Sequence, residues 1–224
     1  ASDVYKRQDR ERCRACGECV AVCPAGARSI SGREMTLDEV LGAAMEDVLF
    51  YRNSGGGVTA SGGEAASQPE FVTELFRRLR ERGIHTALDT TGYAPWEALQ
   101  RILEHTDLVL LDIKHMDPQR HRELTGVDNA LILDNARRIA RMGKELWVRF
   151  PLIPGLTDST ENLAATADFV RELGLDRIDI LPYHRLGVGK YRRLGREYPL
   201  AELRSYNEEE VEGFKSRLAA RGLE

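Results

Sequence analysis

All four cysteines of this 224-residue chain fall within eleven positions, as Cys13-x2-Cys16-x2-Cys19-x3-Cys23 followed by Pro24. Thiolates are soft ligands, and tight C-x2-C-x2-C turns wrap three of them around one face of an iron–sulfur cubane. A fourth cysteine ahead of a proline commonly serves a second cluster. No second set exists between Ala1 and Glu224, so Cys23 either closes one four-cysteine cluster or serves a set lying ahead of Ala1. Zinc prefers two separated knuckles. A secreted disulfide framework spreads its cysteines to close long loops. The run therefore reads as a 4Fe–4S segment in a reducing cytoplasm, with zinc or free thiols as the lesser alternatives.

Other residues able to do chemistry are Ser61-Gly62-Gly63-Glu64, Asp89-Thr90-Thr91-Gly92, Asp112 with Lys114, Arg149, and Tyr183-His184. Each ends a short apolar run. The runs at 57–61, 85–90, 108–114, 145–152 and 177–182 have strand length. Helical spacing fills 69–82, 95–104, 129–142 and 160–173, with a last helix near 207–221. A Thr36–Glu39 capping box precedes Val40, Leu41, Ala44, Val48 and Leu49 at helical spacing. Pro69 and Pro95 suit a first helical turn, and Gly83, Gly143 and Gly174 suit helix exits. Strand and helix in alternation predict a parallel sheet with right-handed crossovers, as a layer or a barrel. The runs 108–113 and 178–181, with Asp112 and Asp179 embedded, read as strands covered on both faces. Ligands of such sheets bind beyond the carboxyl ends of the strands, where these polar groups collect.

Hydrophobic residues make up 42% and charged residues 30%, with a net charge of -4. That balance excludes a largely disordered chain and gives no pull toward nucleic acid or an anionic membrane. No apolar run approaches the roughly 20 residues of a membrane-spanning helix, and the first residues lack the apolar core of a secretory signal. The stretch 54–64, Ser-Gly-Gly-Gly-Val-Thr-Ala-Ser-Gly-Gly-Glu, lacks the Gly-Lys-Ser/Thr of a phosphate loop. A nucleoside triphosphate site is therefore not expected.

Read whole, residues 50–65 (Phe-Tyr-Arg-Asn-Ser-Gly-Gly-Gly-Val-Thr-Ala-Ser-Gly-Gly-Glu-Ala) resemble the signature of glycyl-radical enzyme activating proteins. These belong to the radical S-adenosylmethionine (SAM) superfamily and are similar to pyruvate formate-lyase activating enzyme. The likeness continues through Leu88-Asp-Thr-Thr-Gly92, Leu111-Asp-Ile-Lys-His-Met-Asp117, Val148-Arg-Phe-Pro-Leu-Ile-Pro-Gly-Leu-Thr-Asp158 and Leu181-Pro-Tyr-His-Arg-Leu-Gly-Val-Gly-Lys-Tyr191, and covers about residues 9–221. The resemblance implies a partial (β/α)6 barrel with a ferredoxin-like insert, SAM as co-substrate and a 4Fe–4S cluster that reduces it. The resulting 5′-deoxyadenosyl radical takes a hydrogen from a backbone glycine of a partner enzyme. It implies a flavodoxin or ferredoxin as reductant. Ser61, Gly62, Gly63 and Glu64 would hold the SAM amino group. Asp89, Asp112, Lys114, Arg149 and His184 would line the pocket, with Lys114 or Arg149 suited to the SAM carboxylate. Ala65 replaces the family's usual proline, which predicts a looser turn.

The superfamily's Cys-x3-Cys-x2-Cys motif does not occur, because Gly26 stands where its last cysteine would fall after Cys19 and Cys23. Five strands are legible where the fold has six. The expectation is an activating enzyme lacking its first strand: a non-family leader at 1–8, an iron–sulfur segment at 9–30 and a SAM-binding partial barrel at 31–224. Such a chain alone would produce no 5′-deoxyadenosine, and its open sheet edge would favour association. The alternative is an iron–sulfur electron-transfer protein, or a SAM- or partner-binding protein without radical chemistry.

Overall fold

The computed structural model describes residues 12–30, 32–194 and 196–223. The expected leader at 1–8 and the start of the iron–sulfur segment lie outside them. The chain divides into two compact units. Among the described residues, one contains those up to Thr36 together with those within 186–199, and the other contains Leu37–Arg185 and those from Leu200 on. The smaller unit carries helix α1 (Glu18–Ala21), and α9 (Val188–Arg193) belongs to it as well. The described part of 186–199 thus falls in the same unit as the cysteine region.

The larger unit is built on five strands: β1 (Gly57–Ala60), β2 (His85–Thr90), β3 (Leu108–Asp112), β4 (Glu145–Leu152) and β5 (Ile178–Pro182). All neighbours pair in parallel, in the order β1-β2-β3-β4-β5. That order never reverses. Right-handed crossovers that always step in one direction place every connecting helix on the same face, as in a barrel and unlike a doubly wound layer. The helices are α2 (Leu37–Met45), α3 (Val48–Ser54), α4 (Pro69–Glu81), α5 (Trp96–Leu103), α6 (Pro118–Thr125), α7 (Ala130–Arg141), α8 (Thr160–Glu172) and α10 (Glu208–Ala219).

The strands alternate accordingly. Val109 and Leu111 of β3, and Leu146, Val148, Phe150 and Leu152 of β4, are buried in the core with the helices. Leu108, Leu110, Asp112, Trp147 and Arg149 face the other way and are half-buried. This corrects the expectation that β3 and β5 are covered on both faces: the second face of β3 is only half-buried, and β5 runs from buried Ile178 to exposed Leu181 and Pro182. On α4, Val72, Leu75, Phe76 and Leu79 recur at the spacing of one helical face and are all buried. Phe76 is fully enclosed, and Phe76→Ala would cost about 3–5 kcal/mol. The apolar stripe expected to continue from Val40 to Leu49 instead breaks between α2 and α3. Leu41 is buried and Leu49 exposed.

At one edge, β1 approaches β2 so closely that a Cβ on Gly57 would lie 1.9 Å from the His85 carbonyl oxygen. Only glycine allows this register.

Candidate active site at the carboxyl ends of the strands

The loop after β1 carries Ser61, Gly62, Gly63 and Glu64. Gly62 has φ +116°, and a Cβ built on either glycine meets no atom within 4 Å. The backbone is therefore bare toward open space, a cradle that side chains would fill. A cleft of about 320 Å³ opens beside it, lined by Ala60, Ser61, Gly63, Glu64 and, from α4, Phe71.

Glu64 caps the short 3-10 turn Ala65–Ser67, with Oε1 accepting from Ala66 N at 3.2 Å. The same oxygen accepts from Thr90 Oγ1 at 2.7 Å. Oε2 accepts from Thr91 N at 2.9 Å and from Thr91 Oγ1 at 2.7 Å. This cap holds the turn at Ala65, where the sequence predicts a looser one.

Deeper on the inner face lies a second group. Ser61 Oγ donates to Asp89 Oδ2 at 2.7 Å. Arg149 Nε donates to Asp112 Oδ1 at 2.9 Å, and Arg149 Nη2 also reaches Asp89. Lys114 Nζ pairs with Asp112 Oδ2 at 3.2 Å. The ends of β2 and β3 and the middle of β4 supply two carboxylates and two cations, so their formal charges cancel; Arg149, expected at a strand end, lies inside β4 opposite Asp112. The sequence treats Asp89, Asp112, Lys114 and Arg149 as separate contacts to a ligand; the structure pairs them with one another. Such a group presents an ordered, polar, charge-balanced wall to a zwitterion such as an amino acid moiety. His184 stands apart on the exposed connection after β5. Its neighbour Tyr183 is buried and donates its hydroxyl to Leu200 O at 2.7 Å.

Sequence reasoning assigned no role to Asn135. Its Nδ2 donates to Gly92 O at 2.8 Å and Ala94 O at 2.9 Å, fixing the loop after β2. The signal was available: Asn135 falls on the apolar stripe of α7 with Ile132, Ala136 and Ile139. A polar side chain on a core face needs a buried partner.

In the smaller unit, Cys13 and Cys16 are exposed, Cys19 and Cys23 half-buried, and none is in a disulfide. Ala15 N donates to Cys13 Sγ at 3.4 Å, from a residue at φ +54°. The Cys23 thiol is held below its usual range, first by the Ala27 backbone amide and further by those of Ala25 and Arg28. Stabilised thiolate is what an iron ligand requires. By type and spacing the four donors fit an iron–sulfur cluster. Among the described residues, however, no three metal-ligating side chains are gathered around one point.

The profile of the Radical SAM superfamily matches residues 11–180. The isethionate sulfite-lyase activating enzyme of Nitratidesulfovibrio vulgaris is 46% identical over 198 residues, covering 87% of this chain and 64% of that protein. The choline trimethylamine-lyase activating enzyme of Oleidesulfovibrio alaskensis is 40% identical, covering 84% of this chain and 72% of that one. A domain of the pyruvate-formate lyase-activating enzyme of Bacteroides vulgatus superposes with a TM-score of 0.63 at 32% identity, over 75% of this chain and 96% of that domain. The chain belongs to the radical SAM superfamily, among the glycyl-radical enzyme activating enzymes. It spans just under two-thirds of the length of the isethionate sulfite-lyase relative.

Proposed function

We propose that this chain is the SAM-binding part of a glycyl-radical enzyme activase. The observation that carries the reading is the bare Gly62–Gly63 backbone beside a charge-balanced group drawn from β2, β3 and β4, in a member of this superfamily. The reducing 4Fe–4S cluster, for whose Cys-x3-Cys-x2-Cys motif residues 1–224 offer no match, would supply the electron that cleaves SAM, so that a hydrogen is taken from a backbone glycine of the partner enzyme.

The chain's own residues bind and orient. Backbone groups of Gly62 and Gly63 approach the methionyl end without a side chain between. Ser61 is oriented by Asp89. Arg149 and Lys114 provide donors for the SAM carboxylate, while Asp89 and Asp112 keep both cations in place. His184, exposed after β5, is assigned to the SAM site by the family resemblance alone. Cys13, Cys16, Cys19 and Cys23 would be the ligands of an auxiliary cluster, drawn together on binding it, which would relay electrons from a flavodoxin or ferredoxin in a reducing cytoplasm. The partner is a glycyl-radical enzyme.

Residues 1–224 contain no Cys-x3-Cys-x2-Cys. We therefore expect the chain, reconstituted with iron and sulfide, to bind SAM and yet form no 5′-deoxyadenosine with dithionite. Turnover would refute that expectation. The Cys23 environment equally supports a plain electron carrier. A redox titration separates the two readings, since a carrier's spectrum would not respond to SAM.

A further inference from the structure

We propose that Glu64 is a positioning residue: its carboxylate latches the Ser61–Glu64 loop to the loop that follows β2, and the SAM amino group is left to the loop backbone. This rests on the SAM reading above. A carboxylate offers about four lone-pair positions. Here Oε1 accepts from Ala66 N and Thr90 Oγ1, and Oε2 accepts from Thr91 N and Thr91 Oγ1. All are used within the protein. An ammonium group could bind this carboxylate only by displacing a donor already within 3.2 Å.

The two threonines extend the latch. Thr90 Oγ1 accepts from Gly92 N at 3.0 Å, and Thr91 Oγ1 accepts from Tyr93 N at 3.3 Å. Each hydroxyl thus donates to Glu64 and receives a backbone amide, an arrangement in which successive hydrogen bonds polarise one another. From the other side Asn135 holds the carbonyls of Gly92 and Ala94. The segment 90–94 is gripped between a carboxylate and an amide. Since Asp89 directly precedes it and accepts from Ser61, one latch sets both the bare glycine backbone and the carboxylate that orients Ser61.

The latch makes Thr91 matter for binding although it need not touch the ligand. The test compares Thr91→Val, Thr91→Ser and Glu64→Gln with the wild-type chain. SAM binding is measured by calorimetry, amide exchange at Gly92 and Tyr93 in the ligand-free protein, and unfolding by thermal melt. Thr91→Val should weaken SAM binding about tenfold, the effect of losing one charge-assisted hydrogen bond, and speed exchange at Tyr93. Thr91→Ser keeps the hydroxyl and should restore both. Glu64→Gln presents an NH2 group to two donors and should speed exchange at Gly92 and Tyr93. If Thr91→Val binds SAM as the wild type does while Glu64→Gln fails, Glu64 contacts the ligand itself and the positioning role falls alone. If the wild-type chain binds no SAM at millimolar concentration, the functional reading falls and the positioning role with it.

Discussion

Asp112 and Arg149 are register partners on β3 and β4, and Arg149 Nε donates to Asp112 Oδ1 at 2.9 Å. The same guanidinium passes over β3 to Asp89 on β2. With side chains only 18–23% exposed, this bridge ties three strands. Arg149→Met would leave two half-buried carboxylates facing each other and should lower the unfolding free energy by about 2 kcal/mol. Urea denaturation reads this directly. Arg149→Lys restores the charge without the two-pronged geometry and should recover only part of it. In a double-mutant cycle, Asp89→Asn should cost less in the Arg149→Met background than in the wild type. Strict additivity would contradict the bridge.

Two glycines should respond in opposite ways. Gly57→Ala drives a Cβ to 1.9 Å from the His85 carbonyl oxygen, so β1 must leave β2, at a cost of about 3 kcal/mol. Gly63→Ala meets open space and should alter stability by less than about 1 kcal/mol. The added methyl instead enters the ligand cradle and should weaken SAM binding about tenfold. Thermal melts and calorimetry on the pair separate a structural glycine from a binding one.

His115 gives the larger unit an acid-sensitive point. It is 8% exposed, and its Nδ1 accepts from Asp117 N at 3.0 Å. Burial pushes its imidazole below the usual 6.5, with Asp117 opposing and Arg120 reinforcing. The unfolded chain therefore takes up the proton first as pH falls. Stability from this group is complete above pH 6.5 and is lost as pH drops through the lower folded value. Denaturation midpoints across that window should fall with pH, and His115→Gln should flatten the slope. A slope unchanged by the substitution would contradict the assignment.

Much of the architecture was readable because the relevant signals are local. Pro69 opens α4, and Gly83, Gly143 and Gly174 take positive φ just past their helices. The five apolar runs became the five strands within a residue or two. Helix α6 was missed because Pro118–Thr125 is almost wholly polar and buries only His121, so no apolar stripe marks it. The inner face of β3 was misjudged because Leu108 and Leu110 are as apolar as Val109 and Leu111. Which face the helices cover depends on strand order, and strand order is a long-range property.

The site was legible as positions and not as connections. Ser61, Asp89, Asp112 and Lys114 stand at strand ends, as the α/β pattern requires, while Arg149 lies inside β4 opposite Asp112. Charge type alone suggested that they wait for a ligand. That Asp112 answers Arg149, and that Glu64 answers Thr90 and Thr91, follows from the register of β2, β3 and β4 and from a loop closure across 26 or 27 residues.

The most direct test of the account is the site of SAM binding itself. Nitrogen-15 spectra of the metal-free chain, titrated with SAM, should shift the amides of Gly62, Gly63 and Thr91 and the Arg149 side-chain Nε. The glycines at the helix exits, Gly83, Gly143 and Gly174, should stay in place. Shifts confined to those glycines, or no change at the strand ends with saturating SAM, would contradict the placement of the ligand at the carboxyl edge of the sheet.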